Sequence, residues 1–194
     1  MKVSKRCEYA LRALINLGIA AEVGRSLVQI SELAETEHMP VKFLEQIMKD
    51  LRAHGYVASE RGKFGGYRLK RATSSIPIGE VVRLFDGPLA PIGCVSQTAY
   101  KRCSCPDEAH CGLRMIMLDV RNAIAAIVDR YTVADLVSVT LRKMRASGHI
   151  PPFADSPTPQ PGAMRRKRPP SKTTGGPGTP AEGILASLLP EYAI

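Results

Sequence analysis

Apolar residues recur at intervals of three and four along most of residues 1–146, as in helices that bury one face. A first helix is predicted over residues 2–22 and a short second one from Gln29. A third helix begins near Pro40 and ends at Gly55. Its apolar residues are predicted to face inward: Phe43, Leu44, Ile47, Met48 and Leu51. Two short helices joined by a tight turn are the layout of a helix-turn-helix.

After Gly55 the pattern changes to two short strands around a glycine-rich tip, in the segment YVASERGKFGGYRLKR. This segment contains a single acid, Glu60, and five cationic residues: Arg61, Lys63, Arg68, Lys70 and Arg71. A basic hairpin directly after a helix-turn-helix is typical of a wing, whose Lys and Arg side chains contact phosphates.

The residues that we predict to contact DNA are polar or cationic and lie on the outer face of the third helix or in the wing. They are Lys42, Glu45, Gln46, Lys49, Arg52, Arg61, Lys63 and Arg68. In the major groove, Gln46 would suit adenine, and Glu45 would accept a hydrogen bond from cytosine. A winged helix that binds a protein partner is the alternative.

The clearest periodic stripe follows residue 111, in a single long helix. Its apolar residues alternate spacings of four and three, which indicates a heptad seam: Leu113, Met117, Val120, Ile124, Ile127 and Tyr131. Nothing else in the chain is large enough to cover this seam. We therefore expect the same helix of a second chain to pair with it, giving a homodimer that reads a palindromic double-stranded DNA operator. Thr132 and Asp135 then begin one more helix.

The charge distribution supports a polyanionic partner. Of the formal net charge of +9, most lies in residues 1–149, with 22 Lys and Arg against 15 Asp and Glu. Arg12 interrupts the only stretch that imitates an export signal, and no apolar run approaches the roughly 18 residues of a membrane span. We expect a cytoplasmic protein without a membrane segment, in which structural disulfides are rare.

Four of the five cysteines lie within one polar segment, spaced C-x8-C-x-C-x5-C: Cys94, Cys103, Cys105 and Cys111. Thiols near Lys and Arg ionise more readily, which favours both metal ligation and oxidation. An iron–sulfur cluster, a structural zinc and a thiol–disulfide switch remain open. Cys103 and Cys105 are closer in sequence than the ligand pairs of zinc fingers, so we expect only one of them to bind a metal.

Composition predicts four regions. Residues 1–88 form a winged helix-turn-helix DNA-binding region, 89–112 a cysteine-rich sensor loop, and 113–147 the dimerisation helices. Residues 148–194 form a disordered, proline-rich basic tail. The basic cluster at 165–168 either adds DNA affinity or has no role.

Several segments together resemble the IscR/NsrR/CymR group of bacterial winged-helix regulators (the Rrf2 type). They are FLEQIMKDLRAHGYVASERGKFGGYRL, IPIGEVVRLFDGPLAPIGC, the cysteine loop and the long helix, in order over residues 1–146. The resemblance implies a mainly α fold with a small β-hairpin wing and a long dimerisation helix. It also implies a homodimeric transcription factor whose DNA affinity depends on an iron–sulfur cluster. We expect a cluster of the 2Fe-2S type, with zinc as the alternative metal.

Carried over by position, the resemblance implies that Cys94, Cys105 and Cys111 are the loop ligands. It also assigns Glu45 and Gln46 to the recognition helix and Arg61 to the wing. The extra Cys103 leaves the middle ligand open.

A fourth ligand is less clear from the resemblance. Some members use a histidine three residues after the last cysteine, and here that place is Arg114. Others use an acidic residue near the start of the first helix, contributed by the partner subunit, and Glu8 holds that position here.

The sequence thus predicts a transcriptional regulator, a repressor, whose operator binding is controlled by an iron–sulfur cluster or by cysteine redox state. The alternatives are a zinc-stabilised winged-helix DNA-binding protein without sensing, and a thiol–disulfide switch without a metal. No enzyme is indicated, because there is no nucleophile–base pairing and GKFGG lacks the ending of a phosphate-binding loop.

Overall fold

The computed structural model describes residues 2–62 and 64–154. Within these residues, six α-helices and one antiparallel hairpin follow in the order α1 (Lys5–Glu22), α2 (Ile30–Thr36), α3 (Val41–Ala53), β1 (Val57–Glu60), β2 (Gly66–Leu69), α4 (Ile78–Asp86), α5 (Gly112–Arg130) and α6 (Val133–Ala146). Short 3₁₀ turns lie at Thr73–Ser75 and Gly93–Val95. The predicted fold class, mainly α with a small hairpin wing, is confirmed.

The main core lies where α1, α2 and α3 meet. Leu14, Leu33 and Leu44 are completely buried there, and α3 adds further side chains from the face that the heptad-like spacing indicated. The prediction was wrong for Phe43, which is 38% exposed. Its ring packs edge-on against Tyr9 of α1 at a centroid distance of 5.8 Å, on the surface.

The hairpin is short and tightly registered, with Val57 opposite Leu69 and Glu60 opposite Gly66. It is also tied to the chain between α1 and α2. The Tyr67 amide donates to the Val28 carbonyl at 2.8 Å, and the Val28 amide donates to the Tyr67 carbonyl at 3.0 Å. The wing is therefore anchored on the helix-turn-helix by backbone hydrogen bonds.

Helix α6 belongs to the same core, although it was predicted as part of the dimerisation region. Val133, Val137 and Leu141 are buried in the main core cluster. Val137 lies so close to α1 that a Cβ on Gly18 would meet its methyl carbon at 2.6 Å. The predicted capping box is present, with the Thr132 amide donating to Asp135 at 2.8 Å.

Helix α5 has two different faces. Ile124 packs against a small cluster around Val82 and Leu89, and Tyr131 is buried, so these two residues face their own chain. Four of the exposed apolar residues form a different stripe with the same three- and four-residue spacing: Leu113, Ile116, Val120 and Ile127. Met115, which is 57% exposed, lies off this stripe. The predicted seam thus combined two faces of the helix, because a heptad pattern does not say which neighbour covers which position.

The described residues extend past the predicted start of the tail, to residue 154. Phe153 is buried in the main core, whereas Ile150 is 67% exposed. The remainder of the predicted tail, including the basic cluster at 165–168, lies outside the described residues. No helix in the described part of the chain is long and apolar enough to cross a membrane.

Candidate nucleic-acid interface and cysteine site

Helix α3 presents the predicted reading face to solvent. Leu44, Ile47 and Met48 turn completely inward. The predicted contact residues of this helix are all exposed: Lys42, Glu45, Gln46, Lys49 and Arg52. A helix that buries one face and exposes a polar and cationic face has the form of a recognition helix in a helix-turn-helix.

The wing adds cations beside this helix. The Arg52 guanidinium donates to the Ser59 hydroxyl at 3.0 Å, which ties the end of α3 to β1. Arg61 is exposed next to the tip, and Arg68 lies 3.4 Å from the Glu60 carboxylate, so the acid partly offsets its charge. Lys63, the remaining predicted wing contact, lies outside the described residues. A groove of about 430 Å³ separates the wing from α2 and is lined in part by Arg52 and Arg61.

Glycines shape the wing where the backbone passes close to other strands. A Cβ on Gly65 would lie 2.2 Å from the Glu60 carbonyl oxygen, and one on Gly66 would lie 2.6 Å from that of Val28. Gly62 has a φ angle of 113°, which residues other than glycine rarely adopt. The glycine-rich tip that indicated a hairpin is therefore required by close packing.

The base of the wing is joined to α4 by a polar network. Glu80 accepts hydrogen bonds from the Tyr56 hydroxyl at 2.8 Å and from Arg71 at 2.7 Å. The Arg71 hydrogen bond holds the pKa of Glu80 below its usual value, while burial and Glu80 raise the pKa of Tyr56. Helix α4 is in turn bound to α5, because Arg83 donates to both oxygens of Asp129 at 2.6 and 2.7 Å.

The structure brings the four loop cysteines into one chain of contacts between α4 and α5. Cys94 is buried in the 3₁₀ turn, and the other three are half-buried. The pKa of Cys94 is raised by burial, by Cys103 and by Glu108. Hydrogen bonding to Cys103, then burial and contact with Cys111, raise the pKa of Cys105 to about 11. Cys103 thus interacts with both Cys94 and Cys105. The prediction that nearby Lys and Arg make the loop thiols ionise more readily is therefore wrong for Cys94 and Cys105, because burial and neighbouring thiols raise their pKa values.

One acidic residue of this site was missed by sequence reasoning. The Tyr100 hydroxyl donates to the two carboxylate oxygens of Glu108, at 2.9 and 2.8 Å, and the Cys103 thiol lies 3.8 Å from one of them. Arg114 Nε lies 3.2 Å from Glu108, an ion pair without an aligned hydrogen bond. Spacing gave no signal for Glu108, because the loop has no regular period.

Cys111 is also the N-cap of α5. Its sulfur accepts a hydrogen bond from the Arg114 amide at 3.4 Å, in the way that Ser or Asp caps a helix. A change at this thiol therefore acts directly on the first turn of the long helix.

Glu8, the predicted carboxylate ligand, lies in the first turn of α1. Its carboxylate pairs with Lys5 at 2.8 Å and with Arg12 at 3.3 Å. The hydrogen bond from Lys5 lowers the pKa of Glu8. Within its own chain, Glu8 is not among the groups that shift the pKa of the Cys94 thiol or of the Cys105 thiol.

The donor types of the loop fit an iron–sulfur cluster or zinc, since thiolates are the ligands that both prefer. The arrangement is looser than a coordination sphere. Among residues 2–62 and 64–154, no three His, Cys, Asp or Glu side chains are placed to hold one metal ion. The loop thiols contact one another in pairs, so the loop would have to close further around a bound group.

A helix-turn-helix with a basic wing, followed by a cysteine loop that caps a long exposed helix, defines a winged-helix transcriptional regulator. The chain belongs to the Rrf2 family, described as iron-dependent transcriptional regulators, whose pattern it matches over residues 3–139. The predicted family and the prediction that the protein is not an enzyme are confirmed. The family supports DNA binding and a role in transcription regulation.

Named relatives extend the comparison. The chain is 40% identical over 140 residues to a Rhodobacter capsulatus protein named as an rrf2-like HTH-type transcriptional regulator, covering 70% of this chain and 92% of the relative. It is 34% identical over 137 residues to the regulator NsrR of Bacillus subtilis, covering 71% and 90%. Among solved structures, CymR, the global cysteine regulator of B. subtilis, matches with a TM-score of 0.59 at 27% identity, covering 71% and 97%.

Proposed function

We propose that this chain is a cytoplasmic, homodimeric repressor whose operator binding is controlled by the state of its cysteine loop. The observation that carries the proposal is the double role of Cys111. It is one of the clustered thiols, and it caps the helix that bears the exposed apolar stripe. A chemical change at the loop and the geometry of a dimer are therefore linked through one residue.

The dimer would form through α5. Leu113 is 58% exposed and Ile127 is 48% exposed, and with Ile116 and Val120 they line one side of the helix. A second copy of the same stripe would bury these side chains, which favours a symmetric pair. Two α3 helices and two wings would then meet the half-sites of a palindromic operator.

The route from the loop to the DNA-binding face runs through α4. The Arg83–Asp129 pair fixes α4 on α5, and Glu80 fixes the wing base on α4. Because the hydrogen bond between Arg52 and Ser59 joins α3 to the wing, a tilt of α5 would move α3 and the wing together. This route requires that the dimer has two arrangements and that the state of the cysteine loop favours one of them.

For the cofactor, we propose an iron–sulfur cluster of the 2Fe-2S type held by Cys94, Cys105 and Cys111, with Cys103 as the alternative middle ligand. When bound, such a cluster supplies a group that changes oxidation state and is lost to oxidants. The protein's own part is to present thiols that would release their protons on ligation, to keep Cys94 buried, and to release or restore the Cys111 cap of α5.

A metal-free thiol switch is the second candidate, favoured by the contact of Cys103 with Cys94 and Cys105. In this reaction two thiols lose two protons and two electrons to an oxidant such as a peroxide, and one sulfur–sulfur bond forms. The extra cysteine has a role in this scheme that a three-cysteine cluster site does not give it.

The test is purification without oxygen, followed by iron, sulfide and zinc analysis, visible spectroscopy, and binding to operator fragments with and without reductant. We expect iron, sulfide and visible absorption, and DNA affinity that changes when the cluster is lost. Cys105→Ser should remove the response, and Cys7→Ala, which removes a buried thiol outside the loop, should keep it. A protein without iron or colour whose DNA affinity ignores reductant would contradict the proposal. Stoichiometric zinc with the same indifference would favour the non-sensing alternative.

A further inference from the structure

Glu108 is the carboxylate that lies at the cysteine site within one chain. Tyr100 donates to both of its oxygens, Arg114 lies 3.2 Å away, and the Cys103 thiol lies 3.8 Å away. Its side chain is 22% exposed. The carboxylate is therefore held from three directions by residues of the loop and of the first turn of α5.

Glu8 is placed differently. Both of its ion-pair partners, Lys5 and Arg12, belong to its own helix, and its side chain is 38% exposed. The cationic partner of Glu108, Arg114, instead lies in the first turn of α5, beside the cysteine loop. Glu108 needs no second chain to reach the thiols.

The contact with Arg114 explains a departure from the pattern that the resemblance implied. Position 114 holds a histidine ligand in some members, and an arginine guanidinium has no free lone pair with which to replace it. The guanidinium lies beside Glu108, where it counters the charge of a carboxylate placed among thiols. Glu108 and Arg114 thus lie three residues before and three residues after Cys111.

We propose that Glu108 is the oxygen donor of the cysteine site, supplied by the same chain as the thiols and oriented by Tyr100 and Arg114. This inference rests on the proposed function, because it takes the loop to be the place where a metal or cluster binds. Carboxylates bind iron and zinc alongside thiolates, and residues that orient a ligand also tune the site. Tyr100 and Arg114 are positioning residues in this scheme.

The test uses the full chain, prepared without oxygen and titrated with cobalt(II), whose ligand-field bands report the donor atoms. Glu108→Gln and Glu8→Gln form a matched pair, since each removes one charge and keeps the shape of the side chain. We expect Glu108→Gln to shift these bands and to weaken cobalt binding by about tenfold or more. Glu8→Gln should match the unmodified chain in both readouts.

Tyr100→Phe separates donation from orientation. It should weaken cobalt binding while leaving the ligand-field bands in place, because the donor atoms are unchanged. Operator binding by the reduced, metal-free variants is the control for correct folding and should equal that of the unmodified chain.

The inference and the proposed function fail in different ways. If Glu8→Gln shifts the bands and Glu108→Gln does not, the donor is Glu8 and the inference is wrong, while the loop remains the metal site. If the unmodified chain binds no cobalt and still responds to reductant on DNA, Glu108 has no donor role and the metal-free switch stands. If it neither binds cobalt nor responds to reductant, both are wrong.

Discussion

The winged-helix body and the cysteine loop are held together by different interactions. In the body, completely buried side chains such as Leu44 and Leu33 pack together. The backbone of the wing packs so closely that a Cβ on Gly66 would clash with the Val28 backbone. In the loop, contacts join half-buried thiols and one carboxylate over a few residues of sequence. Close packing resists small changes of volume, whereas short polar contacts on a loop rearrange at low cost. The winged-helix body is therefore the rigid part of the molecule, and the cysteine loop is the part that rearranges more easily.

Cysteine reactivity should separate the two regions most strongly. Cys7 of α1 is completely buried in a small cluster with Val82 of α4, and burial, with Asp86 nearby, raises its pKa to about 12, so it stays a neutral thiol near pH 8. In native protein we expect Cys7 to react with maleimide at least about 10³-fold more slowly than a free thiol, because it must wait for unfolding.

Mass spectrometry of the labelled sites under reducing, metal-free conditions measures this difference. Cys103 and Cys111 are expected to carry most of the early label, since both are half-buried, whereas the pKa of Cys105, raised to about 11, slows its reaction. Labelling in urea is the control, in which all five thiols should react. Fast native labelling of Cys7 would show that the body opens as readily as the loop.

A cavity in the body should be the next largest effect. Leu44→Ala removes a completely buried side chain from α3 and should cost about 2–5 kcal/mol of unfolding free energy. Val41→Ala, at a position of the same helix that is 41% exposed, should change it by about 0.5 kcal/mol or less. Urea unfolding followed by circular dichroism gives both values. Equal losses would mean that α3 does not pack as described.

Glycine substitutions should then distinguish the wing from the start of α5. Gly66→Ala places a Cβ against the Val28 backbone and should destabilise the protein by about 1–3 kcal/mol. Gly112→Ala meets no atom within 4 Å in the first turn of a helix and should stabilise it by about 0.4–1 kcal/mol. Thermal unfolding of the two variants measures the opposite signs. A stabilising Gly66→Ala would rule out the close contact with Val28.

The smallest effect concerns the cap that joins the two regions. Cys111→Ala removes the cap of α5 and should cost about 1 kcal/mol, whereas Cys111→Ser restores an oxygen acceptor and should cost less. Both variants lack the thiol, so both should lose the response of operator binding to reductant. Comparing unfolding free energy with DNA binding separates capping from sensing. A full response in Cys111→Ser would exclude this thiol from the sensor.

Local patterns determined much of the molecule. The helical spacing of residues 41–53, the glycine-rich tip and the Thr132–Asp135 capping box each depend on neighbours in sequence, and each appears where it was expected. The same spacing predicted which residues of α3 are exposed, because the residues opposite the buried face of a helix must point to solvent. The cysteine cluster was evident as well, since its spacing alone brought four thiols within reach.

Only the tertiary structure decided which partner covers each apolar surface and which charges meet. Phe43 lies at the surface, where its ring packs against Tyr9 of α1, and Ile124 turns inward because Val82 of α4 covers that side of α5. Glu108 is held at the cysteine site by Tyr100, which precedes it in the sequence, and by Arg114, which follows it. Periodicity specifies a face but not the neighbour that meets it, and an irregular loop has no period at all. The sequence determined the winged helix-turn-helix and the presence of a cysteine cluster, and the fold determined how the two are joined.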